Sequence, residues 1–508
     1  MANVLLRASG LLVAAFALAF LYARMPESGA RVDKALCEHC NVILISFDTV
    51  RADHLGAYGY TRATSPNVDG LAAKSLVFDR AISQAPWTLP AHGSMLSGLY
   101  PSRLGVLRYP ASRVLSDQNT VLPEVFKAAG YATAGFTGGG FVSDHYGFNR
   151  GFDVYTSKGR RYEHNLDDTL DWLSTHKDKP FFLFFHGYDA HRPYYSKPVD
   201  KAAMGLAEDA AVDQSHYCLQ NDRGKPDDAA LENVVRYYDS SIHHGDRGIG
   251  VLLDTLQKQG LMENTVILLT ADHGEEFFEH GNCDHVRFVY EESVHVPLMI
   301  YVPKLTPSGK HVEGLVPASI SVSRTLLDLV GIDHAMPGVS LLPMIDGKQK
   351  NFPVVYSEAD TAAGSFGSRG PVLAMSKPDQ KLISYTEEGA DEAYNLKADP
   401  GENEVLPEKH AAYQMRQSLR AWRASMKPLP RPEVSPDEAA AALADDESGG
   451  SGSGDGSGSG EDTGDDAAGK SDRKAGAKPA KPGAKSAGKN PKVPDQLKKD
   501  LRSLGYLQ

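Results

Sequence analysis

Apolar residues gather along this chain in dense runs that stop abruptly at charged or polar residues. Asn41-Val42-Ile43-Leu44-Ile45-Ser46-Phe47 halts at Asp48, and Thr265-Val266-Ile267-Leu268-Leu269-Thr270-Ala271 halts at Asp272-His273-Gly274. A third run, Phe181-Phe182-Leu183-Phe184-Phe185, passes into His186-Gly187-Tyr188-Asp189-Ala190-His191. Short runs rich in β-branched and aromatic residues, apolar on both faces, predict strands buried inside a sheet. Stretches over 122–129, 165–175 and 231–259 read as helices between them. Strands alternating with helices predict an α/β core, placed at 38–350.

Beyond residue 350 the pattern changes. Residues 351–430 read as a small C-terminal α+β subdomain, with a hairpin of 379–385 and 391–396 and a helix over 408–426. The stretch 448–460 is almost pure Ser and Gly, and acidic residues give way to basic ones after it. Segment 431–492 is therefore expected to be a charge-segregated, disordered linker, and 493–508 a short C-terminal helix. At the other end, Arg7 precedes an uncharged, mostly apolar run over 8–23. Residues 1–30 are expected to be a signal peptide or an N-terminal membrane anchor, which places the protein in the periplasm or cell envelope.

Composition narrows the partners. The formal charge is -12, which argues against nucleic acid. The four cysteines are Cys37, Cys40, Cys218 and Cys283, an even number that suggests disulfides in an exported chain. Cys37-Glu38-His39-Cys40 has metal-ligand spacing, but no second pair completes a zinc site. A local disulfide or free thiols are expected there.

Open α/β sheets bind ligands beyond the carboxyl ends of their strands. Asp48, Asp272 and His273 stand at two such ends and together suggest one metal site. Thr88 is the candidate fourth member. It lies in Trp87-Thr88-Leu89-Pro90-Ala91-His92-Gly93-Ser94-Met95-Leu96-Ser97-Gly98, which reads as a turn feeding a short helix with Pro90 in its first turn and Gly98 as its stop. Alone, such a threonine reads as an N-cap. Beside two metal-binding strand ends, a hydroxyl among free backbone N–H groups is well placed to attack an anionic ester. Two carboxylates, an imidazole and a hydroxyl favour one zinc or manganese ion, since an all-oxygen site would suit calcium better.

With these residues in view, the chain resembles the sulfatase family of the alkaline phosphatase superfamily. The two Asp-ended strands are similar to the family's metal-binding strands, and the Thr88 to Gly98 segment overlays its signature, Cys or Ser-x-Pro-x-Arg followed by a helix. Tyr290-Glu291-Glu292-Ser293, Asp189-Ala190-His191-Arg192-Pro193-Tyr194, Asp399-Pro400-Gly401-Glu402 and the ending Leu501-Arg502-Ser503-Leu504-Gly505-Tyr506-Leu507 are similar to further family segments. The resemblance implies an alkaline-phosphatase-like core, with a large central mixed β-sheet flanked by helices. It implies that His191 touches the anion or leaving group and that His285 is a second pocket histidine, with one or the other as the general acid. It places His92 at the signature arginine's position, and His285 or Arg287 in the space of a family lysine, so His92 and Arg287 are expected to contact substrate. The chain departs from the family at Thr88, which replaces the precursor of formylglycine, and at Thr49, which replaces an aspartate.

These departures point to a metal-dependent hydrolase of phosphate, phosphodiester or phosphonate esters, with Thr88 as nucleophile. The substrate would be a small-molecule, glycan or lipid ester. The alternatives are a transferase moving a phospho-headgroup onto an envelope lipid or glycan, a sulfuric ester hydrolase, and a non-catalytic binding protein.

Overall fold

The computed structural model describes residues 35–109, 114–157, 159–207, 225–303, 305, 309–361, 370–386 and 390–429. The chain divides into two units, Met1–Arg431 with Asp495–Leu507, and Pro432–Pro494 with Gln508; every described residue belongs to the first. The expected N-terminal segment 1–30, linker 431–492, terminal helix 493–508 and Cys218 lie outside the described residues.

The three apolar runs form adjacent parallel strands. Asn41–Phe47 lies between Phe181–Gly187 and Thr265–Thr270, and all three are fully buried. Ala132–Phe136 and Val154–Thr156 extend the parallel side beyond Phe181–Gly187. On the other side Leu298–Tyr301 and Leu76–Ile82 run antiparallel, and the short strand His295–Val296 with Lys310–Pro317 completes a mixed nine-stranded sheet. Strands buried on both faces need covering layers. The helices Leu122–Ala128, Tyr162–Thr175 and Asp228–Lys258 occupy the stretches read as helical from sequence. The last begins where Asp227 Oδ1 accepts the Ala230 N–H at 2.8 Å, an N-cap.

The C-terminal sheet forms separately. Gln380–Tyr385 and Ala390–Asn395 pair antiparallel as the expected hairpin, next to Val372–Ser376 and Val355–Thr361, with Arg108–Tyr109 at the far edge. The helix Met415–Ser425 covers it through Leu419 and Trp422, and Trp422 stacks on Tyr356 with ring centroids 4.0 Å apart. It is shorter than the sequence suggested, because Ala411–Gln414 is a 3-10 turn. A buried ion cluster ties this sheet to the large one. Lys381 has no solvent exposure and reaches Glu291 Oε1 at 3.1 Å and Glu402 Oε1 at 3.0 Å.

Of the cysteines, Cys37 and Cys40 form a local disulfide and Cys283 is also disulfide-bonded. Among the described residues no helix is long and apolar enough to cross a membrane.

Candidate active site

Register sets the site. Ser46 lies level with His186 on one neighbouring strand and Thr270 on the other, so three strands end at the same height. At and just beyond that level, Asp48, His186, Asp272 and His273 are fully buried together. The helix Thr88–Ser97 starts beside them, with Trp87 as N-cap residue and Thr88 in its first position. It ends at Gly98, whose φ of 72° is the left-handed conformation of a helix stop. A Cβ there would lie 2.2 Å from Pro337 O, so the close approach also requires glycine.

Thr88 Oγ1 donates toward Asp48 Oδ2 at 3.5 Å and lies 3.4 Å from His273 Nε2. His273 Nδ1 lies 2.9 Å from Gly274 O, a contact that fixes its proton on Nδ1 and leaves the Nε2 lone pair facing the site. That Nε2 is 3.2 Å from Asp272 Oδ2. Thr49, at φ 65°, turns the chain sharply after Asp48. Its N–H donates to Asp272 Oδ1 at 3.1 Å and its hydroxyl to Asp48 Oδ1 at 2.5 Å. The threonine in place of an aspartate thus joins the two carboxylates instead of adding a third.

These groups fit a divalent cation. The ligand atoms of Asp48, Asp272 and His273 lie within 4.8 Å of one another, and Asp272 Oδ2 is buried without a hydrogen-bond partner. Burial and then the Asp272 charge push the Asp48 carboxyl well above its usual range. Burial opposes ionisation of Asp272 too, but His273 and His92 outweigh it and hold that carboxyl well below its usual range. Two carboxylates this close favour a metal charge between them.

His92 and His186 sit under the carboxylates. His92 Nε2 is 2.8 Å from Ser46 Oγ, and its Nδ1 is 3.0 Å from Thr88 O and 3.4 Å from Asp272 Oδ2. Burial holds the His92 imidazole down at about 3, hence neutral. Both of its ring nitrogens are engaged inside the protein, where the sequence reading had it touching substrate. His186, which carried no role in that reading, faces Asp48 Oδ2 with Nε2 at 3.2 Å and accepts the Gly138 N–H on Nδ1 at 3.2 Å. Its legible signal was a polar residue closing a phenylalanine run beside the Asp48 strand.

His191 and His285 also come to this end of the sheet. Their rings are 5.0 Å apart, and that of His285 is 4.4 Å from His273. His285 Nδ1 lies 2.8 Å from Asp284 Oδ1 and 3.6 Å from Glu275 Oε1. Burial opposes its charge, yet Asp284 and Glu275 raise it to about 10, so His285 is an imidazolium at neutral pH. Burial keeps His191 neutral. Arg192 pairs with Asp284, while Arg287 Nη1 reaches Asn282 Oδ1 at 3.4 Å.

The glycine after His273 has a steric cause. Gly274 N–H donates to Ser293 O at 2.9 Å and Glu275 N–H to Glu292 O at 3.1 Å, and a Cβ on Gly274 would lie 1.9 Å from Glu292 O. Asp272-His273-Gly274-Glu275 and Tyr290-Glu291-Glu292-Ser293 are therefore two sides of one backbone contact. Arg51 Nη1 donates to Glu275 O at 3.1 Å and supports the same turn.

Comparison with known proteins agrees with this architecture. The sulfatase family model matches residues 40–332, and the model for the C-terminal region of N-sulphoglucosamine sulphohydrolase matches residues 278–427. An endo-4-O-sulfatase of Bacteroides thetaiotaomicron is 26% identical over 59% of this chain and 71% of its own. Choline-sulfatase of Rhizobium meliloti is 28% identical over 71% of this chain and 80% of its own. Among solved structures, one in complex with its substrate D-glucosamine-2-N,6-O-disulfate superposes with a TM-score of 0.65 at 20% identity, covering 76% of this chain and 98% of that one. The phosphonate monoester hydrolase of Agrobacterium radiobacter superposes with a TM-score of 0.60 at 18% identity, covering 76% and 96%.

Proposed function

The chain belongs to the sulfatase family of ester hydrolases, and from that premise we propose that it cleaves phosphate, phosphodiester or phosphonate esters with Thr88 as nucleophile. The observation that carries this reading is the nucleophile's position. A hydroxyl that cannot become formylglycine by the Cys or Ser route stands first in a helix, 3.5 Å from Asp48 and 3.4 Å from His273.

Asp48, Asp272, His273 and Thr88 would hold one divalent cation, zinc or manganese before calcium. When bound, that ion supplies the positive charge that favours the threonine alkoxide. The chain's own groups do the rest. Backbone N–H groups at the start of the helix Thr88–Ser97 face the non-bridging oxygens. Thr88 Oγ1 attacks phosphorus and the ester oxygen leaves, giving a phospho-threonine that water resolves. His285, protonated at neutral pH, supplies a fixed cation or a proton at the leaving oxygen, and neutral His191 stands next to it. His92 holds Asp272 and the Thr88 carbonyl in place.

Exported location remains part of this reading, through residues 1–30. The sulfatase relatives favour a second reading, sulfate-ester hydrolysis on the same site. Turnover of aryl phosphate, phosphodiester, phosphonate and sulfate by the metal-loaded chain separates the two. Phosphorus-ester turnover abolished in a folded Thr88→Ala variant is the expected result. Turnover of sulfate alone, or turnover unchanged by Thr88→Ala, refutes the reading.

A further inference from the structure

The turn after the strand Asn41–Phe47 holds a residue to which the reaction gives no role. Thr49 is fully buried and sits at φ 65°. That conformation is strained for a β-branched side chain; glycine, asparagine or aspartate would take it more readily. Strain of this kind persists where surrounding contacts hold it, and it gathers at functional positions. The contact here is the Thr49 hydroxyl, which donates to Asp48 Oδ1 at 2.5 Å. Glycine would relieve the strain and lose that bond.

Hydrogen bonds divide the two aspartates oxygen by oxygen. Asp48 Oδ1 takes the Thr49 hydroxyl. Asp272 Oδ1 takes the N–H groups of Thr49 at 3.1 Å and His273 at 3.0 Å. Asp272 Oδ2 is buried without a hydrogen-bond partner. Asp48 Oδ2 meets His186 Nε2 at 3.2 Å and Thr88 Oγ1 at 3.5 Å. A carboxylate oxygen can accept one hydrogen bond and still present a second lone pair to an ion. Each aspartate therefore offers one oxygen, Oδ2, while Oδ1 is committed to the protein.

The number of oxygens offered decides which cation fits. One oxygen from each aspartate, with His273 and Thr88, makes four ligands, the number that zinc takes. The ligand atoms of Asp48, Asp272 and His273 lie within 4.8 Å of one another, close enough to share one ion. Calcium takes six to eight oxygens and readily uses both oxygens of a carboxylate. On the reading of these residues as a metal site, we propose that Thr49 is a positioning residue that makes the site selective for zinc. Its hydroxyl holds Asp48 to a single metal-facing oxygen, as the two backbone N–H groups do for Asp272.

The test is the ratio of Zn²⁺ to Ca²⁺ affinity. The full chain is stripped with a chelator and titrated with each ion alone against a chromophoric competitor, with folding checked by circular dichroism. Thr49→Val keeps the β-branched shape but removes the hydroxyl, which frees Asp48 Oδ1 for a second bond to the ion. The ratio should fall at least about tenfold, with calcium gaining. Thr49→Gly relieves the strain, also lacks the hydroxyl, and should give the same fall should the valine variant not fold. Thr49→Ser keeps the hydroxyl and should restore the ratio of the unmodified chain. A substitution that only loosens the site weakens both ions together and leaves the ratio where it was. An unchanged ratio in the folded valine or glycine variant, or a fall that serine does not rescue, overturns the role of Thr49. The metal site itself still stands in that case if Asp272→Asn abolishes zinc binding. Zinc bound as tightly by Asp272→Asn as by the unmodified chain refutes the site, and the role of Thr49 falls with it.

Discussion

At the scale of single residues, two positions carry predictions that separate support from contact. His92 was read from sequence as a substrate residue because it replaces a family arginine, yet in the fold it holds Ser46, the Thr88 carbonyl and Asp272. If it is a support, His92→Phe should lower metal affinity about 10- to 100-fold with the fold intact. A variant that kept its metal and raised only KM would restore the substrate role. Gly274 is the other position. With a Cβ placed 1.9 Å from Glu292 O, Gly274→Ala must push apart the turn carrying Asp272 and His273. We expect a loss of about 1–3 kcal/mol in chemical denaturation, together with reduced turnover. Asp48, Asp272 and His273 were legible because each stands at the abrupt end of an apolar run, and Thr88 because it opens a short helix marked by Pro90 and Gly98. The roles of His186, Thr49 and Asp284 were not, although His186 closes a phenylalanine run and Thr49 departs from the family pattern, because their partners lie 138, 223 and 92 residues away, respectively. No local pattern records such distances.

At the scale of elements, the strands of the core were readable because burial on both faces erases alternation and leaves a solid apolar run. Their order was not. That Asn41–Phe47 sits between Phe181–Gly187 and Thr265–Thr270 is fixed by pairing across more than a hundred residues. The junction between the two sheets was equally hidden. Lys381 looks like a surface residue of a hairpin, but it is fully buried between Glu291 and Glu402. Removing its charge leaves two carboxylates facing each other without solvent. Lys381→Met should therefore cost about 3–5 kcal/mol, the range for breaking a buried ion pair on one side. The companion Glu402→Gln should cost less, since Lys381 keeps Glu291. Urea melts that rank the two in the opposite order would show that the cluster does not carry the junction. Glu291 opens the helical turn that backs the Asp272–Gly274 loop, so Lys381→Met should also loosen the site and lower turnover.

At the scale of the whole molecule, several buried groups bias stability in one direction. Burial raises the carboxyls of Glu358 and Glu402 to about 7, and burial with the Glu292 charge raises Glu276 to about 8. Burial opposes the His280 charge, but the hydrogen bond and charge of Glu292 outweigh it and raise the imidazole to about 9. A group whose folded pKa exceeds its unfolded value stabilises the fold fully below the unfolded value and loses that contribution as pH rises through the folded one. For the three glutamates the loss runs from about 4.5 up to 7 or 8; for His280 it runs from 6.5 to about 9. Opposing groups act at the acid end. Asp53, Glu291 and Asp284 are held below their usual range by Arg51, Lys381 and Arg192 against the cost of burial, so their contribution fades as pH falls below about 4. The melting temperature of the full chain should therefore peak on the acid side of neutrality and fall steadily between pH 6.5 and 9. His280 and His285 share the upper part of that fall, the latter raised to about 10; His280 Nδ1 is 2.5 Å from Glu292 and its Nε2 is 3.0 Å from Glu402 O. His280→Gln should lower the melting temperature at pH 6 and make the fall above pH 7 shallower, leaving the part that His285 contributes. A melting temperature that stays level or rises from pH 6.5 to 9 in the unmodified chain would refute this arrangement of charges, whatever reaction the site performs.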